Sequence, residues 1–406
     1  MSQETHQAEI AIVGGGLIGP ALALVLKSAG VRCMVIDRQP VETRSAPDFD
    51  GRAYAIALAS HRLLQTIGIW EQVASHAEPI LDINVGDGTA PDRILHFDPR
   101  ELDEGRFGWI LEDRFLRTAL LAALEREEIP HLGGAEVSRI ERGPGSADLT
   151  LNDGVKIHAR LAVAADGRRS VLAQAAGIRR LGWSYSQTGL VNAIEHAYPH
   201  RGVAFQAFFP GGPFAVLPLP GNRSSLVWSE RRAEADRLSA LPDADFTAEL
   251  ARRIAGRLGS ITLAGPRWSY PLDFSLAYGF VAPRLALAGD AAHGVHPIAG
   301  QGFNLGLRDV AALAEVLVDA RRRGEDIGSL PVLQRYQTWR RFDTAAMALG
   351  MDGLNRLFSN DIAPVKALRR AGMRAVSQLD TLRRGMMRQA IGTAGDLPRL
   401  LRGQPL

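Results

Sequence analysis

Three glycines stand where a pyrophosphate could be cradled. They are Gly14, Gly16 and Gly19 in the run Gly14-Gly15-Gly16-Leu17-Ile18-Gly19. In such a run the first glycine makes a tight turn, the second lets backbone approach a phosphate, and the third lets helix pack on strand. The helix that follows offers unpaired N–H groups and a positive dipole end to an anion. Pro20 falls in the first helical turn, where a missing N–H costs little. Asp37 comes 23 residues after Gly14, a place from which a carboxylate accepts hydrogen bonds from ribose hydroxyls. Arg38 follows it as a further candidate contact. The motif points to a dinucleotide and does not by itself separate FAD from NAD.

A second run carries more information. Arg284-Leu285-Ala286-Leu287-Ala288 reads as a buried strand, and Gly289-Asp290 ends it. The chain then passes through Ala291-Ala292-His293-Gly294-Val295-His296-Pro297-Ile298-Ala299-Gly300 to Gln301-Gly302-Phe303-Asn304-Leu305-Gly306. A strand thus delivers one carboxylate, Asp290, and a glycine-rich loop turns into a helix whose N-terminus points back at the same place. The carboxylate suits polyol hydroxyls, and the helix end suits a developing anion. His293 and His296 lack a third ligand beyond Asp290 and read as structural members of the loop. No metal site, no Ser–His–Asp set and no paired carboxylates stand out. This fits a chain whose cofactor carries the hard chemistry, and no side chain is assigned as a catalytic acid or base.

These residues need particular elements to hold them. Glu9–Val13 reads as a strand, Leu17–Ala29 as a helix and Arg32–Ile36 as the next strand, a βαβ opening. Leu161–Ala165 is another buried strand and ends at Asp166-Gly167. Between Gly189 and Val227 the pattern alternates, with turns at Pro210–Pro213 and Pro220–Asn222, which predicts an antiparallel sheet. A long helix is expected from about Gly302 to Arg322, and the chain after Pro331 reads as helical and arginine-rich. The fold class is therefore α/β, a Rossmann-like nucleotide domain with an inserted antiparallel-sheet domain and a C-terminal helical segment.

Composition narrows the function classes. The 406 residues exceed one small core, and a net charge of +3 argues against nucleic acid as a partner. The single cysteine, Cys33, excludes an intramolecular disulfide, a thiolate metal cluster and a redox-active cysteine pair. Its apolar neighbours predict a buried thiol. The polar start, Met1-Ser2-Gln3-Glu4, shows no signal peptide, and the apolar run Leu17–Leu26 is too short to span a bilayer. A cytoplasmic protein is expected, able to lie peripherally on the inner face of the membrane.

The run from Gly289 to Gly306 resembles the class A flavoprotein monooxygenases, which share the fold of p-hydroxybenzoate hydroxylase. Its narrower string, His296-Pro297-Ile298-Ala299-Gly300-Gln301-Gly302 with Asn304-Leu305-Gly306, is similar to the ubiquinone-biosynthesis hydroxylases. The resemblance covers nearly the whole chain and implies a glutathione-reductase-type FAD domain. It gives Asp290 to the ribityl chain of FAD, and places Pro297, Gly300, Gln301, Gly302, Phe303 and Asn304 beside the flavin ring. Asp50-Gly51-Arg52-Ala53 matches a segment whose arginine approaches the flavin side of FAD. Asp113 stands where relatives of this type carry Asn, and a carboxylate there needs a hydrogen-bond donor. Asp166-Gly167 matches a motif implicated in both FAD and NAD(P)H binding. The arginine usual three residues after Ser170 is replaced by Ala173. Arg168 and Arg169 are the residues available to compensate.

The implied boundaries are 1–85, 105–178 and 268–345 for the FAD-binding domain, 86–104 and 179–267 for the substrate domain, and 346–406 for the helical segment. The implied reaction uses FAD, NADPH or NADH, and O2. It inserts one oxygen atom into a polyprenylated phenol through a flavin C4a-hydroperoxide. Two other readings stand beside it, a hydroxylase of a small soluble aromatic and a non-catalytic flavoprotein subunit of a quinone-biosynthesis complex. Homo-oligomerisation is left open. A helix from about Val365 would align Val365, Leu368, Gly372, Val376, Leu379, Met386 and Ala390, flanked by Lys366, Arg370, Arg374, Arg384 and Arg388. An apolar stripe with flanking arginines suits a membrane surface or a partner in such a complex.

Overall fold

The computed structural model describes residues 5–46, 51–88, 95–102, 104–359, 372, 376 and 378–406. A parallel sheet forms the nucleotide domain. Its strands are β1 (Thr5–Val13), β2 (Cys33–Asp37), β8 (His131–Gly133), β11 (Lys156–Ala164) and β19 (Leu285–Leu287), in the order β19-β11-β1-β2-β8. The hairpin β9 (Val137–Arg142) and β10 (Ala147–Leu151) pairs with β11, and β18 (Val281–Ala282) closes the other edge. Strand β19 and the buried stretches Ile10–Val13 of β1 and Cys33–Ile36 of β2 read as unbroken apolar runs because helices cover both faces, as parallel strands require. Cys33 is buried here, and burial pushes its thiol up to about 12, so it is an inert core group.

Helix α1 (Ile18–Ser28) and helix α9 (Gln301–Arg322) pack together on this sheet. Any side chain at Gly306 would press on Ile18, whose Cγ1 lies 3.0 Å from the ideal Cβ position, so glycine permits the close crossing. Short helices α2 (Val41–Ser45), α3 (Leu58–Thr66) and α4 (Trp70–Val73) precede α5 (Asp113–Arg126), which starts five residues before Thr118, where a helical pattern first shows in the sequence. Strands β3 (Ala53–Ala57), β4 (Ala77–Ile80) and β7 (Gly108–Glu112) make a separate three-stranded sheet in the order β3-β7-β4.

The second layer is nine-stranded. It runs β20-β17-β12-β15-β14-β13-β5-β6, with β16 (Ile261–Leu263) paired to β12. Its strands are β5 (Asp82–Asp87), β6 (Leu95–Phe97), β12 (Arg180–His196), β13 (Val203–Phe209), β14 (Gly212–Leu219), β15 (Arg223–Arg231), β17 (Trp268–Ala277) and β20 (His293–Gly294). The expectation of a purely antiparallel sheet is corrected at one pair, because β5 lies parallel to β13. The sheet also reaches past the expected boundaries. β5 begins at Asp82, and β17, inside the segment assigned to the FAD domain, pairs with β12 along its length. Ladder pairing in space, not order along the chain, decides which layer a strand joins.

Leu190, Phe214, Leu226 and Trp228 point from one face of this sheet onto α7 (Arg232–Ala240) and α8 (Asp243–Ile254). The alternate residues, including Val191, Ala193, Ala215, Leu217 and Val227, face the other way, and Ala193 and Leu217 pack near Ala53 and Ala55 of β3. Helix α6 (Val171–Ala175) follows Ser170, whose hydroxyl caps it by accepting from Ala173 N. Helix α10 (Leu330–Phe358) runs unbroken through the expected boundary at 345, and α11 (Asp380–Ile391) comes after it.

The expected helix from Val365 is corrected at Leu379, which is extended (φ −101°, ψ 90°) and breaks any continuous stripe into α11. Val365, Lys366, Leu368, Arg370 and Arg374 lie outside the described residues, as does Asp50.

Candidate cofactor and substrate site

The carboxyl edges of four parallel strands converge on one place. Gly14 N donates to Ile36 O at 2.8 Å, Ala165 N to Val13 O at 2.7 Å, and Ala288 N to Ala164 O at 2.9 Å. Gly14–Gly19, Asp37, Asp166 and Asp290 therefore gather on one edge. This is where open α/β sheets bind ligands. Gly14 has φ +120° and lies against the Ala165–Asp166 backbone, so it must be glycine. Gly19 is closed by the Gly14 carbonyl. Gly16 has nothing within 4 Å of an added Cβ, which leaves its backbone open to a ligand.

Asp37 is buried against Gly15. Its Oδ1 accepts from Gln39 N at 3.0 Å and its Oδ2 from Arg44 Nε at 2.8 Å. A carboxylate has about four acceptor positions, so Arg44 orients it and leaves room for ribose hydroxyls. Arg38 is exposed at the strand end. Arg44 is a residue that glycine spacing alone could not reveal. The Arg44 and Ala46 carbonyls accept from Arg117 Nη1, and Arg117 Nε donates to Asp113 Oδ2 at 2.7 Å. Arg117 is thus the donor that a carboxylate at position 113 requires, and Asp113 sits in the first turn of α5, where the dipole favours it. Asp113 N donates to Arg52 O at 2.8 Å, which joins two of the expected flavin contacts. The Arg52 guanidinium lies over Tyr54 of β3 and Tyr270 of β17, with centroids at 5.7 and 5.2 Å.

Asp166 Oδ2 accepts from Val171 N at 2.9 Å, whereas its Oδ1 is buried with no partner. Burial raises the Asp166 carboxyl despite the Ser170 and backbone donors around it. Asp290 is half-exposed beyond β19, and its Oδ2 meets Arg168 Nε at 3.2 Å. Arg168 also donates to Asp273 O at 3.2 Å and Val295 O at 3.5 Å, so its guanidinium is engaged across this edge, while Arg169 is exposed. Arg180 Nη2 donates to Asp290 O at 3.1 Å, and its other arm reaches Ala291 O. Burial lowers the Arg180 pKa against the opposing pull of Asp290 and Asp166.

The loop after Asp290 is fixed from below. Gly300 has φ +61° and precedes α9; a Cβ there would lie 2.9 Å from that of Ala55. Asn304 Nδ2 donates to Ala55 O at 2.8 Å and Gly300 O at 3.2 Å, and its Oδ1 accepts from Ala57 N at 3.0 Å. Its amide therefore clamps β3 to the helix start. Phe303 packs on Tyr54 with centroids 5.2 Å apart, and Gln301 Nε2 donates to Ala390 O at 3.3 Å. Gly302 has only Val295 within 4 Å of an added Cβ, and Pro297 leads into the loop's 3-10 turn at half-buried depth.

His293 is fully buried, with its Nε2 2.6 Å from Asp309 Oδ2. The carboxylate partner that local sequence did not supply thus comes from helix α9. Among the described residues no cluster of His, Cys, Asp and Glu could hold a metal.

These residues fit FAD on three counts. There is an open backbone cradle at Gly16, a buried unpartnered oxygen at Asp166 on the same edge, and an oriented, accessible carboxylate at Asp290. On the inner face of the nine-stranded sheet, Ala193 and Leu217 pack with Ala53 and Ala55 of β3, and Ala215 and Val227 are half-buried.

Comparison with known proteins agrees with this geometry. The model of the FAD binding domain family matches residues 7–347. The chain is 48% identical over 403 residues to ubiquinone hydroxylase UbiL of Rhodospirillum rubrum, covering 98% of this chain and 94% of that protein. It is 38% identical over 391 residues to 3-demethoxyubiquinol 3-hydroxylase of Escherichia coli, covering 95% and 98%. The crystal structure of p-nitrophenol 4-monooxygenase PnpA from Pseudomonas putida DLL-E4 has the same fold, with TM-score 0.79 at 20% identity, covering 97% of this chain and 100% of that one.

Proposed function

Because the chain belongs to the FAD binding domain family, we propose that it inserts one oxygen atom from O2 into a polyprenylated phenol of ubiquinone biosynthesis. It is an FAD-dependent monooxygenase with a reduced nicotinamide as co-substrate. The observation that carries the substrate assignment is the 48% identity, over 98% of this chain, to ubiquinone hydroxylase UbiL. A phenol with a long hydrocarbon chain gains from apolar surroundings, since each buried CH2 contributes about 0.8 kcal/mol.

Bound at this edge, FAD would accept hydride from the nicotinamide and activate O2. Gly14, Gly16 and Gly19 with the α1 N-terminus hold its pyrophosphate, Asp37 its ribose, and Asp290 its ribityl hydroxyls. Pro297 through Gly302 shape the floor on which the aromatic ring rests, with Asn304 and Gly300 locking that floor to β3. Excluding water from the flavin side of this loop would protect activated oxygen from wasteful decay.

We place the protein at the membrane surface through α11, because its substrate partitions into lipid. The test is turnover of a geranylated phenol with NADH or NADPH under labelled O2. One labelled oxygen in the product supports the reading. Oxidation of the nicotinamide at equal rate under nitrogen sinks it.

A further inference from the structure

Gln301, Arg308, Glu315 and Asp319 recur along α9 at spacings that bring side chains back to one face of a helix. Each of them meets the last segment of the chain. Gln301 Nε2 donates to Ala390 O at 3.3 Å, and Arg308 Nη2 donates to Ala394 O at 3.0 Å. Glu315 accepts from Arg399 N at 2.7 Å, and Asp319 accepts from Arg399 Nη2 at 2.7 Å. Trp339 Nε1 of α10 donates to Asp396 O at 3.1 Å, and Leu400 and Leu401 are buried in the core that holds Leu307 and Val310. Chain ends commonly fray, so a terminal segment tied down along a whole helix acts as a strap.

The strap joins α11 to the proposed flavin edge by two separate routes. The shorter runs from Ala390, near the end of α11, to Gln301 in the loop proposed to face the flavin. The longer starts at Ala394 and passes through charged groups. Arg308 Nη1 meets Asp343 Oδ2 at 3.0 Å, and Arg340 Nη1 meets the same oxygen at 2.7 Å. Arg340 Nε then meets Asp309 Oδ1 at 2.9 Å, and Asp309 Oδ2 accepts from Gly289 N at 3.0 Å, at the turn that presents Asp290. Arg308, Arg340 and Asp309 are buried, where such bonds are stronger than in water.

Helix α11 is the loosely held end of this arrangement. Met387 and Ile391 are its buried residues, whereas Leu382, Arg384, Met386 and Arg388 are exposed. An element with so few buried contacts belongs to the low-stability end of a fold. Whatever immobilises it also orders the first residues of the strap, and with them the anchors at Gln301 and Arg308. A second ligand that needs those anchors in place then meets a smaller ordering cost.

We infer that attachment of α11 to an anionic lipid surface and binding of FAD strengthen one another through this strap. The inference rests on the membrane placement proposed above. By linkage, lipid tightens FAD by the same factor by which FAD tightens lipid. The flavin-free chain therefore leaves the bilayer more readily, and the loaded enzyme collects where a lipid substrate resides.

The experiment uses flavin-free and FAD-loaded full chains with vesicles of phosphatidylserine and phosphatidylcholine at low salt. Vesicle affinity is read by flotation, and FAD is titrated with and without the vesicles. The loaded chain should bind vesicles roughly tenfold tighter than the flavin-free chain, and vesicles should tighten FAD by the same factor. In Gln301→Leu and in Arg308→Leu that factor should fall toward one, while the flavin-free variants bind vesicles as flavin-free wild type does. Equal vesicle affinity with and without FAD would overturn the coupling and leave the membrane placement standing. A factor undiminished in whichever variant folds also overturns it, because the strap is then not the route. If neither form of the wild type binds vesicles, the membrane placement and the coupling fall together, and the hydroxylase reading stands.

Discussion

Gly289 donates its backbone N–H to Asp309 Oδ2 at 3.0 Å, so a residue inside helix α9 holds the turn that presents Asp290. The same carboxylate meets His293 Nε2 at 2.6 Å and Arg340 Nε at 2.9 Å. Burial alone would raise the Asp309 carboxyl, but His293 and Arg340 outweigh it and hold it low. Arg340 in turn meets Asp343 at 2.7 Å, which also pairs with Arg308. In Asp309→Asn the buried Arg340 loses the fully buried one of its two counter-charges, which should cost about 3–5 kcal/mol. Flavin should also dissociate more readily, because the Gly289 turn loosens. Denaturant unfolding and flavin titration measure both effects. Unchanged flavin affinity would show that the turn is held by other means.

Asp290 itself makes a sharper prediction. Its half-exposed pair with Arg168 contributes little to folding, so Asp290→Ala should leave unfolding nearly unchanged. Flavin binding should weaken by the loss of charge-assisted hydrogen bonds, each worth about 1.5–3 kcal/mol. Full flavin retention in dilute buffer after gel filtration would remove Asp290 from the ribityl role.

The contrast between these two carboxylates shows what sequence reading reaches. Asp290 was legible because it follows an apolar strand and precedes a glycine-rich turn, a local pattern. Asp309 was not, since an acidic residue on a helix normally faces water, and only the crossing of α9 under β19 buries it. The β12–β17 register shift between Ser184 and Gln187 was equally hidden, because its two extra residues, Tyr185 and Ser186, leave the alternation on either side in phase. His293 and His296 both read as structural members of the loop because no third ligand accompanies them, and only the missing partners of His296 separate the two. The parallel docking of β5 on β13 also depends on contacts far apart along the chain.

Arg117 and Asp113 form a buried pair at 2.7 Å, both about 3% exposed. Arg117→Met would leave the Asp113 carboxylate buried without its cation, at a cost of about 3–5 kcal/mol. It would also free the 44–46 backbone that Arg117 holds, and with it the Arg44 contact to Asp37. Adding Asp113→Asn should recover much of the stability but not the flavin affinity. A double variant no more stable than Arg117→Met would rule out the charge account.

His61 predicts an acid-side loss of stability. Its ring stacks on Trp109 at 4.1 Å and meets Trp70 edge-on at 4.4 Å, with Nδ1 buried and unpartnered. Burial, then Arg106, pulls its pKa from 6.5 to about 4. Between those values the unfolded chain binds a proton that the native state refuses, so stability falls as pH drops from 6.5 to about 4. His61→Phe keeps the stacking and removes the titration, so its unfolding free energy should decline less steeply over that window. His296 adds a second loss reaching to about 3, so the slope should shrink rather than vanish. Identical slopes in wild type and variant would refute the assignment.

Helix α11 carries the membrane prediction. Met387 and Ile391 pack inward on the cluster that includes Leu217 and Ala193 of the nine-stranded sheet. Leu379, Leu382 and Met386 are 55%, 48% and 38% exposed, and Arg384 and Arg388 are exposed on the same short helix. Arg383 differs, because it is tied to Glu101 and Asp380. No described helix is long and apolar enough to cross a bilayer, so attachment through this element must be interfacial. Each arginine near an anionic surface contributes about 1 kcal/mol, so losing two should weaken binding roughly thirty-fold at low salt. Flotation with phosphatidylserine vesicles compares the full chain with Arg384→Gln/Arg388→Gln and, separately, Leu382→Ser/Met386→Ser. The full chain should float and be released by salt, and both variants should float less. If all three float equally, or none does, α11 serves only to pack against the sheet.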